Sequence, residues 1–428
     1  MPSTFYNLFY QLGRSVAMHP LAHLMPLSNV IAIPAFSAAA GMSALVAAYT
    51  PGESTFIGAF CDNDDFPDWA RRIARYNRED FRKNTPGVKK QFGDIASELA
   101  DDGAGRVLAN YRHALDVWIA GGKPGPEPFS CQQDYGSCVD ASAAEHMTAM
   151  LGWRAAQPSF NEKYELPAAW YWYADRGYCG DGWDGSGIAA VALRRGIAFR
   201  KKYDIGGKSV DFTDDDKNEQ IVARQWCRTG IPEWMYQETQ TNHPLEDGCI
   251  TEFNGSVADV RAVMAAGGII QTGGTYTSGG SKPFTIGRVG GHMQSFMGAD
   301  DSDEYRKFCK DTLGVTPRTN DFPVIASQTW GRGWSGECAD KYWPGWWGPK
   351  PQGAWVWWAS DMIKYFRGDM FAWLPRFKGI AAGPTPPPPP PPPPGPLPTD
   401  QLYFTGTVEA MLGDKSLGKF LLVPKPEL

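Results

Sequence analysis

The chain has 428 residues, which is too long for one ordinary domain and predicts two or three folded units. Hydrophobic residues make up 43% of the chain and the formal net charge is −6, so a globular core is expected. The mixed charges form no basic stripe, and this argues against nucleic acid or acidic lipid as a partner. Eight cysteines without a CxxC pair exclude zinc-finger spacing and leave the redox compartment and the localisation undecided.

Residues 1–65 form an apolar arm punctuated by prolines. The segment 26–50 carries no charge and is long enough for a membrane span, but its many Ala, Ser and Gly residues keep its hydrophobicity modest. Two interpretations stay open for it: a hairpin that is buried or faces a protein partner, and a segment that contacts a membrane. An ordinary signal peptide is not expected, because no Lys/Arg-rich start leads directly into an apolar run.

Residues 66–122 are predicted to be helical, because apolar residues recur at helical spacing with charged residues between them. The turn-rich run GGKPGPEP at 121–128 marks a boundary. A domain covering 123–381 is predicted to follow it.

Two further segments follow that domain. The proline run in 382–399 predicts an extended polyproline II linker, since it has almost no main-chain donors. Alternating apolar residues in 400–428 predict a tail that forms a small hairpin or docks on a protein partner.

The first chemical signal is the segment CQQDYGSCVDASAAEHMTAML at 131–151. Gly136 and Ser137 predict a turn, and Cys138 opens a run with helical character. A thiol at a helix N-terminus is stabilised as the nucleophilic thiolate by the helix dipole. Gln132 is placed to form an oxyanion hole with the Cys138 main-chain N–H. A small buried cysteine with a structural role is the alternative.

Elimination selects the base among six histidines. Three of them lie upstream of the domain: His19, His23 and His113. His146 is eight residues into the predicted helix, about 12 Å along its axis from the thiol, and His243 lies in a polar loop where a solvated side chain is the default. His292 lies in VGGHMQSFMGAD (289–300), whose alternation predicts a strand. His292 is therefore the candidate base.

A third signal is ASQTWGRGWSGECAD at 326–340. Gln328 is predicted to orient the imidazole of His292 through its side-chain oxygen. Trp330 is predicted to shield that hydrogen bond from water.

Taken in order, these segments resemble the motifs of the papain-like cysteine peptidases. Gln132, Gly136-Ser137-Cys138, Gly291-His292 and Gln328-Thr329-Trp330-Gly331 are similar to the family's Gln, Gly-Ser-Cys-Trp, strand His and Asn-Ser-Trp-Gly motifs. The segment 177–204 looks like its Cys-Asn-Gly-Gly loop and the helix after it. The resemblance implies an α+β, two-lobed fold, with a helical lobe led by Cys138, a β-rich lobe carrying His292, and a helical region before them. It also implies that Gly182 and Trp330 contact the substrate.

The chain departs from the family pattern at three positions. Val139 stands where the family has Trp, and Gln328, one methylene longer, replaces the orienting Asn. Tyr135 replaces a cysteine of the usual disulfide, so Cys131 is predicted to pair with Cys179 under oxidising conditions.

The resemblance implies a cysteine peptidase that acts on a peptide or another amide through an acyl-enzyme, without cofactor or metal. Cys138 would be the nucleophile, His292 the base, Gln328 its orienting group and Gln132 the oxyanion donor. Two alternatives stay open. One is a weak or inactive papain-fold component of a larger assembly, and the other is cysteine chemistry on a non-protein amide or in acyl transfer. Whether residues 1–120 are a removable segment is also open.

Overall fold

The computed structural model describes residues 59, 61–62, 64–85, 96–99, 101, 103–123, 127–129, 137–157, 164–168, 170–176, 182–213, 218–242, 245–329, 337–378, 407–412 and 415–421. The chain divides into two compact units, Met1–Thr385 and Pro386–Leu428. The segment 26–50, the linker 382–399, Gln132 and Trp330 lie outside the described residues.

The described part of the first unit contains nine α-helices and nine strands. The helices are α1 Asp68–Asn84, α2 Asn110–Ala120, α3 Cys138–Ala155, α4 Gly185–Arg195, α5 Asn218–Thr229, α6 Glu233–Asn242, α7 Val257–Ala265, α8 Asp303–Phe308 and α9 Ala359–Phe366. The strands are β1 Val107–Ala109, β2 Lys202–Ile205, β3 Lys208–Asp211, β4 Ile250–Glu252, β5 Ile269–Ser278, β6 Ile286–Asp300, β7 Pro323–Ser327, β8 Trp355–Trp358 and β9 Met370–Trp373.

The second unit contains one antiparallel pair in its described part. Its strands are β10 Thr407–Leu412 and β11 Lys415–Leu421. They lie in the segment where the sequence predicts a small hairpin.

The main sheet is antiparallel and is organised around the long strand β6. The order of the described strands is β4-β9-β5-β6-β7-β8, and β1 pairs with the last three residues of β6. Gly274 of β5 lies opposite His292, and Ser327 of β7 lies opposite Ser295. The segment with the candidate base and the segment with the candidate orienting group therefore lie on the adjacent strands β6 and β7.

Helix α3 is buried along most of its length, including every residue from Cys138 to Gly152. Small side chains make this close packing feasible. At Gly152, for example, a Cβ atom would lie 2.5 Å from the main chain of Ala114 in α2. A helix that is enclosed on all sides has no polar face, which is why its sequence shows little amphipathic pattern.

The predicted helical region 66–122 packs into the same hydrophobic core as the predicted domain. Phe81 of α1 and Tyr111 of α2 are completely buried in that core. Arg82 of α1 binds Glu252 of β4 through two hydrogen bonds of 2.8 and 2.6 Å. Upstream of α1, Ala59 forms a parallel β-bridge with Trp183.

The predicted α+β class is confirmed: α3 begins at Cys138 and packs against the antiparallel sheet that contains β6 and β7. Within the described part of the chain, no helix has the length and apolarity needed to cross a membrane.

Candidate active site

Cys138 is the first residue of α3, and its thiol is completely buried. The main-chain N–H of Met293 in β6 donates a hydrogen bond to Cys138 Sγ at 3.4 Å. Because Met293 directly follows His292, this contact places the middle of β6, where His292 lies, against the N-terminus of α3. The two elements that carry the nucleophile and base candidates are thus in contact although 154 positions separate the two residues in the sequence.

His292 follows a glycine whose conformation requires that residue type. Gly291 has φ 132°, a value that side chains with a Cβ rarely adopt. The imidazole of His292 is completely buried. The ring of His146 packs against that of Trp373 on β9, with 5.2 Å between the ring centroids.

Gln328 is the first residue after β7, and it is buried. Burial lowers the pKa of His292, and the nearby Gln328 side chain acts in the opposite direction. In the described structure neither the amide oxygen nor the amide nitrogen of Gln328 makes a hydrogen bond. Gly353 packs directly against Gln328, since a Cβ there would lie 2.9 Å from the Gln328 carbonyl oxygen and 3.1 Å from Cγ. The orienting role of Gln328 therefore stays a prediction.

Burial keeps both members of the candidate pair neutral. It raises the pKa of the Cys138 thiol to about 12, while the Met293 N–H acts in the opposite direction. It lowers the pKa of His292 to about 3, against the smaller effect of Gln328. Desolvation penalises the charged form of each group, so in this closed form the proton resides on sulfur.

Asp140 is a charged group near the thiol that sequence reasoning missed. It lies in the first turn of α3 and is completely buried, and burial raises its pKa to about 7 while Arg176 opposes the shift. Its negative charge raises the pKa of Cys138. The available signal was its spacing, since an acid two residues after Cys138 must lie on the same first helical turn.

Gly182 is connected to this region through Arg176. Gly182 is buried with φ 82°, and its carbonyl accepts a 2.9 Å hydrogen bond from Arg176 Nη1. Arg176 also acts electrostatically on Asp140 of α3. The next residue, Trp183, forms the β-bridge with Ala59, so this edge already pairs with a separate extended stretch of main chain.

Four sequence-based assignments fall outside the described residues: Gln132, Trp330, Cys131 and Cys179. Cys227 is disulfide-bonded, whereas five other described cysteines are free. Of the eight cysteines, Cys131 and Cys179 are the two left as partners for Cys227, so the Cys227 disulfide competes with the predicted Cys131–Cys179 pairing, and peptide mapping decides between them. Within the described ranges, no group of three or more His, Cys, Asp or Glu side chains is arranged to hold a metal ion.

Comparisons with known proteins give structural similarities only. No family model matches the sequence, and no curated protein matches it. One similar solved structure is xylellain, a cysteine protease from Xylella fastidiosa, with 16% identity, 60% of this chain and 85% of that chain covered, and a TM-score of 0.36. Another is procathepsin B S9 from Trypanosoma congolense, with 10% identity, coverage of 69% and 84%, and a TM-score of 0.34.

Proposed function

We propose that this chain is a cysteine hydrolase in which Cys138 is the nucleophile and His292 the base. One observation carries the proposal: the 3.4 Å hydrogen bond from the Met293 N–H to Cys138 Sγ. It joins a thiol at a helix N-terminus to the strand position next to a histidine. The orienting group proposed for such a site is Gln328, whose side chain acts on the imidazole of His292 and opposes the lowering of its pKa.

The reaction follows from these positions. His292 takes the proton of Cys138, and the thiolate attacks an amide carbonyl to form a tetrahedral intermediate. The Cys138 main-chain N–H, with Gln132 as the proposed second donor, stabilises the oxyanion. The intermediate collapses as His292 gives its proton to the leaving amine. His292 then takes a proton from water, the hydroxide attacks the thioester, and Cys138 leaves with that proton as the free acid forms.

Turnover requires the site to open, because the thiol and the imidazole are both completely buried. Water that enters on opening reduces the desolvation penalty on thiolate and imidazolium alike. The pKa values of Cys138 and His292 then move toward each other, and proton transfer from sulfur to the imidazole becomes accessible.

A peptide is the proposed substrate. The main chain beside Gly182 supports this assignment, because Trp183 there forms a β-bridge with Ala59. An extended peptide forms main-chain hydrogen bonds of the same kind. In the proposed complex, the substrate main chain takes the place of Ala59 in this pairing.

A catalytically inactive component of a larger assembly is the second candidate. The observation that favours it is the neutral, enclosed state of both groups, with the charge of Asp140 raising the pKa of Cys138 further. In that case the Cys138–His292 region has a structural role.

Alkylation kinetics distinguish the two candidates. The folded chain is treated with iodoacetamide at pH 7, and modified sites are quantified by mass spectrometry. We expect Cys138 to react at least about tenfold faster than the other free cysteines, because it alone combines a helix N-terminus with a neighbouring imidazole. The comparison set is Cys61, Cys249, Cys309 and Cys338, all of which are buried.

His292→Ala should abolish the preference for Cys138, and Cys138→Ser should abolish peptide hydrolysis. Equal reaction rates at all five free cysteines would refute the catalytic proposal and favour the inactive component. If Cys138 reacts preferentially but no peptide library is cleaved, the substrate is a non-protein amide or another acyl group.

A further inference from the structure

Four polar side chains form a buried joint between α3 and the main sheet. Its members are Ser142, Glu145, Ser295 and Ser327. None of the four is more than 2% exposed. A carboxyl group at such a depth is costly unless its partners are well placed.

Hydrogen bonds connect the four side chains. Ser142 Oγ and Ser295 Oγ are 3.0 Å apart, and Ser327 Oγ donates to Glu145 Oε1 at 3.2 Å. Ser295 Oγ also donates to the main-chain carbonyl oxygen of Ser142 at 3.3 Å. Ser295 and Ser327 lie directly opposite each other on β6 and β7, so α3 is joined to β6 through Ser142 and to β7 through Glu145.

Each serine lies close in sequence to a residue of the candidate active site. Ser142 is one helical turn after Cys138, Ser295 is three residues after His292, and Ser327 immediately precedes Gln328. The joint therefore ties together the three elements that carry the nucleophile, the base and the orienting amide.

Apolar packing alone would position α3 weakly. The helix is rich in small residues, and hydrophobic burial has no directional preference, so a shift along the sheet would cost little. A buried polar network does specify one arrangement, because every misaligned group loses its partner. A hydrophobic residue at position 145 would avoid the desolvation of a carboxyl group, so stability by itself does not account for Glu145.

We infer that Glu145 is a positioning residue that sets the location of Cys138 relative to His292 and Gln328 by holding Ser327. This inference rests on the proposed function, since it assigns Glu145 a part in that reaction. Glu145 touches no reacting atom; it acts through the placement of α3 against β6 and β7.

The test measures the environment of His292 and the turnover separately. The full chain is prepared with ¹⁵N-labelled histidine, and the ring resonances of His292 are recorded for the wild type, Glu145→Ala, Glu145→Gln and Ser327→Ala. Thr148→Val is the matched control, because it removes a buried 2.8 Å hydrogen bond to Ala144 within α3 and leaves the joint intact. Peptide hydrolysis is measured for the same set.

Glu145→Ala and Ser327→Ala should shift the His292 ring resonances and lower kcat about 100-fold with little change in KM, the scale expected for a misplacement of about 1 Å. Glu145→Gln should keep wild-type resonances and most of kcat, since its amide oxygen still accepts from Ser327. Thr148→Val should change neither. If Glu145→Ala does not fold, Ser327→Ala carries the test.

The losses should not add in the Glu145→Ala/Ser327→Ala double variant, because both changes break the same link. Wild-type resonances and kcat in Ser327→Ala, or the same shifts in Thr148→Val as in Glu145→Ala, would overturn the inference. The wild type could hydrolyse no peptide while the His292 resonances still shift in Glu145→Ala. That result would refute the proposed function and leave the positioning role of Glu145 standing.

Discussion

Met293 donates its main-chain N–H to the Sγ of Cys138 at 3.4 Å, and Met293 is the residue directly after His292. The contact uses no side chain of β6, so it couples the nucleophile helix to the base-bearing strand through the main chain alone. It also lowers the pKa of Cys138 against the effect of burial, because an N–H donor stabilises the thiolate.

Replacement of Gln328 tests the orienting role. Gln328→Ala should lower kcat/KM about 100-fold, the lower end of what general acid–base catalysis contributes, without changing the midpoint of unfolding in urea. Gln328→Asn should also be slow, because the shorter side chain no longer reaches an imidazole placed for glutamine. NMR titration of His292 should show a still lower pKa in Gln328→Ala, since Gln328 raises it in the wild type. Unchanged kcat/KM in Gln328→Ala would mean that another group orients His292.

Gly353 should matter for catalysis because of its contact with Gln328. Gly353 has φ 67°, and a Cβ there would lie 2.9 Å from the Gln328 carbonyl oxygen, so Gly353→Ala must displace Gln328. Gly314 is the matched control, with φ 64° and no atom within 4 Å of the position that a Cβ would take. Both variants should lose about 1 kcal/mol of stability from the left-handed conformation, measured by urea unfolding. Only Gly353→Ala should also lower kcat, and equal kcat values in the two variants would contradict this.

Gln132 is predicted to serve the oxyanion and not the thiolate. Gln132→Ala should therefore lower turnover about 100-fold while leaving the rate of Cys138 alkylation nearly unchanged. The two rates are measured on the same preparation. A parallel fall in both would show that Gln132 supports the structure of the site instead.

The stability of the first unit should depend on the ionisation of Glu145. Burial raises the pKa of Glu145 from 4.5 to about 8, so between these pH values the native state keeps a proton that the unfolded state has released. The unfolding free energy should thus fall as pH rises through this window, by up to about 1.4 kcal/mol per pH unit, and the contribution is fully present below pH 4.5.

Glu145→Gln isolates this contribution, because other buried carboxyl groups with raised pKa values, such as Asp140 and Asp184, remain in both proteins. Urea unfolding at pH 5 and pH 8 should show the variant gaining stability relative to the wild type at the higher pH. A difference that does not change with pH would mean that Glu145 has the same pKa in the folded and unfolded states.

Local patterns in the sequence determined which elements carry the candidate site. The turn at Gly136-Ser137 predicted a helix that begins at Cys138, and the alternation around His292 predicted a strand; both are confirmed. The order of the motifs indicated that the helix of Cys138 and the strand of His292 pack together, because the resemblance to the papain-like peptidases depends on the order and spacing of the motifs and so implies a topology. Gln328 was likewise predicted from its motif, and its orienting role stays a prediction.

Only the tertiary structure decided the ionisation state of the site and the means by which it is held. The enclosed, neutral state of Cys138 and His292 depends on desolvation by residues from many parts of the chain. The role inferred for Glu145 depends on Ser327, which is 182 positions away in the sequence. Periodicity reports the face that a residue occupies on its own helix or strand, whereas burial and long-range hydrogen bonds arise only when distant elements pack together.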